Sequence, residues 1–216
     1  MKKQNLLLFL LLMMIAGLVA TEPAPALSKV PAGSTEEIYL GLGEGTPGEN
    51  GWVVSDYTLH VISPADALVN GQPLKDGRFT IKSDGRHSVE LQPGPNGQGN
   101  TVTQFINIDK TPPKVEWTTE HNAAMSGWDA LTAELSDETS GLCAVESSFD
   151  HGLRWDTHNL APMTPNGVTI LHETTWSIHR DFRDFRSGAQ VVLLRARDCA
   201  GNVSPGEILV FRVVKP

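Results

Sequence analysis

The chain is poor in the residues on which several common functions depend. It has only two cysteines in 216 residues, Cys143 and Cys199. Two thiols cannot build a four-cysteine zinc site or a disulfide-rich miniprotein. Positive charge is scarce, with 17 Lys and Arg against 25 Asp and Glu, for a net charge of −8. Nucleic acid and anionic membrane surfaces repel such a chain, so neither is expected as a partner. After residue 20 no apolar run reaches the roughly 20 residues that a spanning helix needs, so no membrane span is expected beyond the N-terminus. Catalytic signatures are missing too. His172-Glu173-Thr174-Thr175-Trp176 places Trp where a zinc-protease helix carries its second His. No Gly-x-Ser-x-Gly nucleophile elbow occurs. The chain is therefore read as not an enzyme. Hydrophobic residues still make up 40% of it, enough for a packed core.

The N-terminus is built for export. Lys2 and Lys3 precede an unbroken apolar run over residues 6–20. A positive start and an apolar stretch of this length describe a signal peptide and fall short of a spanning helix. Cleavage after Ala26 suits the small-x-small rule through Ala24-Pro25-Ala26, whereas cleavage after Ala20 puts Leu18 at the −3 position. Retention as an N-terminal anchor is the alternative. We read residues 1–26 as signal peptide and 27–35 as a flexible leader containing Pro31, Gly33 and Ser34. The expected location is secreted or cell-surface.

The remainder carries strand signals. Tyr57–Ile62, Arg78–Lys82, His87–Leu91 and Val102–Ile108 alternate or are rich in β-branched and aromatic residues. Ser83-Asp84-Gly85 separates two alternating runs and is expected to close a hairpin. Further on, Leu131–Leu135, Cys143–Phe149, Val168–His172, Gln190–Arg197 and Ile208–Val214 are strand-like. Arg180–Arg186 reads as a loop or short turn pinning Phe182 and Phe185. Turn residues at intervals of about 8 to 15 suggest an all-β sandwich architecture. The halves read as copies, with Gly51-Trp52 aligned on Gly127-Trp128, which favours a structural role for both tryptophans. Between the halves, Pro112 and Pro113 end the ladder and restrict the backbone. We place one domain at 36–111 and a second at 112–216.

Several motifs carry a resemblance to a known family. Ile108-Asp109-Lys110-Thr111-Pro112-Pro113 resembles the linker between bacterial immunoglobulin-like repeats of exported and surface proteins. Asp137-Glu138-Thr139-Ser140-Gly141 resembles their Asp-x-x-Ser-Gly loop. Ser148 to Trp155 resembles their Ser-x-Asp-x-Gly-x-x-Trp hairpin, and Ala196-Arg197-Asp198-Cys199-Ala200-Gly201-Asn202 their Ala-x-Asp-x-Ala-Gly-Asn turn. The first half keeps less of this pattern. The resemblance implies two tandem immunoglobulin-like β-sandwiches and an extracellular setting. It implies no single activity, because such modules space, adhere or accompany enzymes.

Within that implied fold, Cys143 begins strand C and Cys199 ends strand F, neighbours in one sheet. The resemblance thus implies a Cys143–Cys199 disulfide; two buried free thiols are the alternative. It also brings Asp109, Asp137, Glu138 and Asp198 toward one junction, an oxygen-rich set suited to calcium. The competing reading makes Asp137 and Asp198 the acceptors of local Asx turns. Trp155 and Trp176 are the candidates for stacking on a sugar ring. The expected function is a structural, spacer or adhesion module, monomeric, with an extracellular protein or glycan as partner. The alternative is a carbohydrate-binding accessory module.

Overall fold

A computed structural model of the chain describes residues 39–40, 43–63, 67–93, 101–160, 163–164, 167–168 and 170–215. The expected signal peptide and leader lie outside the described residues. The described residues are all-β, folded as two immunoglobulin-like β-sandwiches, and their only helical element is a 3-10 turn at Phe182–Asp184. Both sandwiches fall within one compact unit, Ala32–Pro216.

The first sandwich contains β1 (Tyr39–Leu40), β2 (Trp52–Val53), β3 (Tyr57–Ser63), β4 (Leu68–Val69), β5 (Gln72–Pro73), β6 (Arg78–Ile81), β7 (Gly85–Gln92) and β8 (Val102–Ile108). One sheet runs β1-β3-β6 and the other β2-β8-β7-β4-β5. The second contains β9 (Lys114–Trp117), β10 (Ala124–Met125), β11 (Trp128–Ser136), β12 (Leu142–Ser148), β13 (Asp156–Asn159), β14 (Met163–Thr164), β15 (Gly167–Val168), β16 (Glu173–Asp181), β17 (Gly188–Asp198) and β18 (Glu207–Val213). Its main sheets run β16-β11-β9 and β10-β18-β17-β12-β13, with β14 and β15 paired separately. The wiring is the same in both. In each, a two-residue second strand runs parallel to the last strand, β2 on β8 and β10 on β18.

Side-chain alternation explains the layers. Along β17, Val192, Leu194 and Ala196 point inward and are fully buried, and along β11 Leu131, Ala133 and Leu135 do the same. They meet Phe182, Leu209 and Phe211 in the second core. Leu59, Val89, Leu91 and Ile108 centre the first. Burying one such large side chain contributes about 1.5–3 kcal/mol.

Three local expectations are corrected. The turn at Asp84-Gly85 closes no hairpin: β6 pairs with β3, β7 pairs with β8, and the turn carries the chain from one sheet to the other. A two-residue hairpin of type I′ needs left-handed φ at both central residues. Here Gly85 has φ 128° while Asp84 is not left-handed. Asp84 instead accepts a 2.6 Å bond from the Thr111 hydroxyl. Second, the long strand is Glu173–Asp181 rather than 168–172. Its polar–apolar alternation through Thr174, Trp176 and Ile178 pairs along the whole of β11. Third, Trp52 and Trp128 are not equivalent. Trp52 lies on β2 and is buried, whereas Trp128 opens β11 and is 71% exposed.

Candidate functional site

The loops at one pole of the second sandwich meet the first sandwich, and their local sequence dictates their shape. In the β11–β12 loop, the Asp137 carboxylate accepts the backbone N–H of Gly141 at 2.6 Å and that of Thr139 at 3.2 Å. Gly141 has φ 83°, and a Cβ there meets Ile170 and Leu171. In the β17–β18 turn, Asp198 accepts the Asn202 N–H at 2.8 Å through one oxygen and its side-chain amide at 2.8 Å through the other. Both expected Asx-type turns are therefore present.

The Cys143–Cys199 disulfide ties these loops together, with α-carbons 4.9 Å apart. Cys199 N–H donates to Gly141 carbonyl at 2.8 Å, and Ala200 N–H to Ser140 Oγ at 3.1 Å. The bridge closes a separation of 56 residues, for which chain entropy gives roughly 4 kcal/mol.

The first sandwich docks onto this platform through polar contacts. Glu49 N–H donates to Ala200 carbonyl at 2.8 Å. The Asn50 amide donates to Cys199 carbonyl at 2.9 Å. Arg197 donates to both Glu49 carboxylate oxygens, at 2.8 and 3.0 Å. Gly48 runs so close that a Cβ there overlaps Ala200 carbonyl. Asp109, just past β8, accepts Thr111 N–H with one oxygen and Ser140 N–H with the other, at 3.1 and 3.0 Å. Its backbone carbonyl accepts the Asn202 amide at 3.0 Å.

Asp109, Asp137 and Asp198 each offer an oxygen within 4.8 Å of the others, and all three residues are buried. Burial pushes the Asp198 pKa up to about 6, against the two Asn202 hydrogen bonds that lower it; neighbouring Asp109 and Asp137 add to the rise. Burial likewise raises Asp137, opposed by the Gly141 N–H. Three carboxylate oxygens are the kind of ligand a hard cation such as calcium takes. A carboxylate has about four lone-pair sites, so turn bonds and a cation are compatible. Glu138 is exposed and stands outside this cluster.

The tryptophan candidates are separated. Trp155 has one ring face covered by Arg195, whose guanidinium lies 4.0 Å from the ring centroid and bonds Glu146 at 2.6 Å. Trp176, in β16 of the opposite sheet, packs on the second core and against His158 at 5.2 Å. Residue-level reading missed Glu49, Asn50, Ser140, Arg197 and Asn202 as junction residues. Two of them had a signal, Ser140 in the Asp-x-x-Ser-Gly loop and Asn202 in the Ala-Gly-Asn turn.

No family model matches the chain, and no curated protein does. Among solved structures it is similar to the fibronectin(III)-like modules of Clostridium thermocellum CbhA, with 14% identity, TM-score 0.34, and coverage of 80% of this chain and 94% of that one. An engineered protein matches at 14% identity and TM-score 0.28, over 52% of this chain and 22% of its own length. At these levels neither likeness says what the chain does.

Proposed function

We propose that this is an exported, non-catalytic module that holds two β-sandwiches in fixed relation, a structural or adhesive spacer at the cell surface or in the extracellular space. The observation that carries this reading is the direct junction. Asp109, just past β8, and Ser140, Arg197 and Asn202 of the second sandwich are engaged in joining the two halves. A disulfide underlies the same contact, and the bridge itself favours an oxidising compartment. The module works as a monomer, with an extracellular protein or glycan as its partner. Calcium at Asp109, Asp137 and Asp198 strengthens the junction by neutralising three buried carboxylates.

The test is a distance measurement. Spin labels on exposed positions of the two sandwiches, such as Thr103 and Glu173, report the interdomain distribution by pulsed dipolar spectroscopy. A narrow distribution, narrower still with calcium than with a chelator, supports the rigid spacer. A broad distribution in both conditions rules it out.

A further inference from the structure

The two sandwiches share their wiring but differ at one flank. In the second, β12 runs beside β17 from Leu142 to Ser148. In the first, the corresponding β4 has only two residues and covers only Leu91 and Gln92 of β7. Among the described residues, the rest of β7 has no strand on that side. Its backbone direction follows from one pair of bonds. Glu90 N–H donates to the Asn70 side chain and Glu90 carbonyl accepts Asn70 N–H, each at 2.8 Å, so Glu90 faces away from β8. The two-residue strand period turns Ser88 and Arg86 the same way. Across the gap lies the outer edge of β6. Thr58 exchanges its backbone bonds with Glu44, which leaves the backbone groups of Thr80, its partner on β6, turned outward.

Between these two edges is a cleft of about 280 Å³. Phe79, Ile81 and Val89 of the first core form its apolar floor. Among the described residues its charged or titratable lining groups are Lys82 and His87, with no carboxylate, although the whole chain carries −8.

We propose that this flank is a strand-addition site for an extended peptide with alternating apolar residues and acidic flanks. The peptide continues the line of β4 and pairs with Arg86 and Ser88 of β7. Its apolar side chains meet Phe79, Ile81 and Val89, and a carboxylate pairs with Lys82. Free strand edges bind extended segments through main-chain bonds, with alternate side chains supplying specificity. The site is independent of the junction, so it stands or falls separately from the spacer role.

The probe is a labelled synthetic peptide of sequence Glu-Val-Thr-Val-Glu-Val-Thr-Glu, titrated into the exported protein. Saturable binding is expected. Ser88→Pro removes the outward N–H while sparing the ladder to β8, and weakens binding about tenfold or more. Ser88→Ala leaves binding within about twofold, and Lys82→Glu weakens it several-fold. In the unsubstituted protein, the amides of Arg86 and Ser88 exchange quickly alone and become protected with peptide. This second readout decides the matter if Ser88→Pro does not fold. No saturable binding, binding without protection at these two amides, or a folded Ser88→Pro protein that binds as tightly as the original overturns the proposal.

Discussion

Replacing Asp198 with Asn separates the cost of a buried charge from the value of its hydrogen bonds. Asp198 is fully buried, and its pKa is raised from an ordinary 3.8 to about 6, chiefly by that burial. The folded state therefore keeps a proton that the unfolded chain releases between those two values. Stability contributed by this group falls as pH rises through that window and stays low above it. At 1.36 kcal/mol per unit, the penalty above about pH 6 is about 3 kcal/mol. Asp198→Asn removes the penalty. The new side chain still accepts the Asn202 N–H, but its amide then faces the Asn202 amide, which loses one bond worth about 1 kcal/mol. Without divalent cations, the variant is expected to be about 1–2 kcal/mol more stable than the original at about pH 7.5, and about 1 kcal/mol less stable at about pH 4. Urea titrations in a chelating buffer measure this, with an m-value of about 2 kcal/mol/M turning the gain into about 0.5–1 M in midpoint. Equal destabilisation at both pH values refutes the reasoning, because it means the carboxylate ionises at no cost. Calcium extends the same experiment: it raises the midpoint of the original more than that of Asp198→Asn, whose amide oxygen is a weaker, uncharged ligand.

Other substitutions probe the remaining links. Gly48→Val forces a side chain into Ala200 carbonyl, and also against Val54 of its own sandwich, and should broaden the interdomain distance distribution; an unchanged distribution denies the junction its role. Cys143→Ser with Cys199→Ser should cost about 2–4 kcal/mol and preserve the β-sheet circular dichroism, since the core does not pass through the bridge. Mass spectrometry of the non-reduced protein should show no free thiol. Leu131→Ala, in the fully buried centre of the second core, should cost about 2–5 kcal/mol by chemical denaturation, and a loss below about 1 kcal/mol contradicts its placement.

The sequence alone determined the all-β class, because period-two alternation and closely spaced turn residues are local properties. Strands such as β8, β11 and β17 follow directly from it. So do the two Asp-led loops, where the carboxylate, the downstream N–H groups and the left-handed glycine lie within five residues of one another. The meeting of Asp109, Asp137 and Asp198 was readable only through the resemblance that ordered the strands. Which strands pair was not local. The Asp84-Gly85 turn looks like a hairpin from within ten residues, yet β6 pairs with β3 and β7 with β8, on opposite sheets. Trp52 and Trp128 share a Gly-Trp sequence, but one is covered and the other is exposed at a strand start. The junction belongs to the tertiary structure altogether. Pro112 and Pro113 mark where the chain stiffens, but the Glu49, Asn50 and Gly48 contacts with residues 197–200 span about 150 positions of sequence. No local pattern encodes a contact of that range. It forms because folding two cores brings two poles together, and only there do the charges and amides meet their partners.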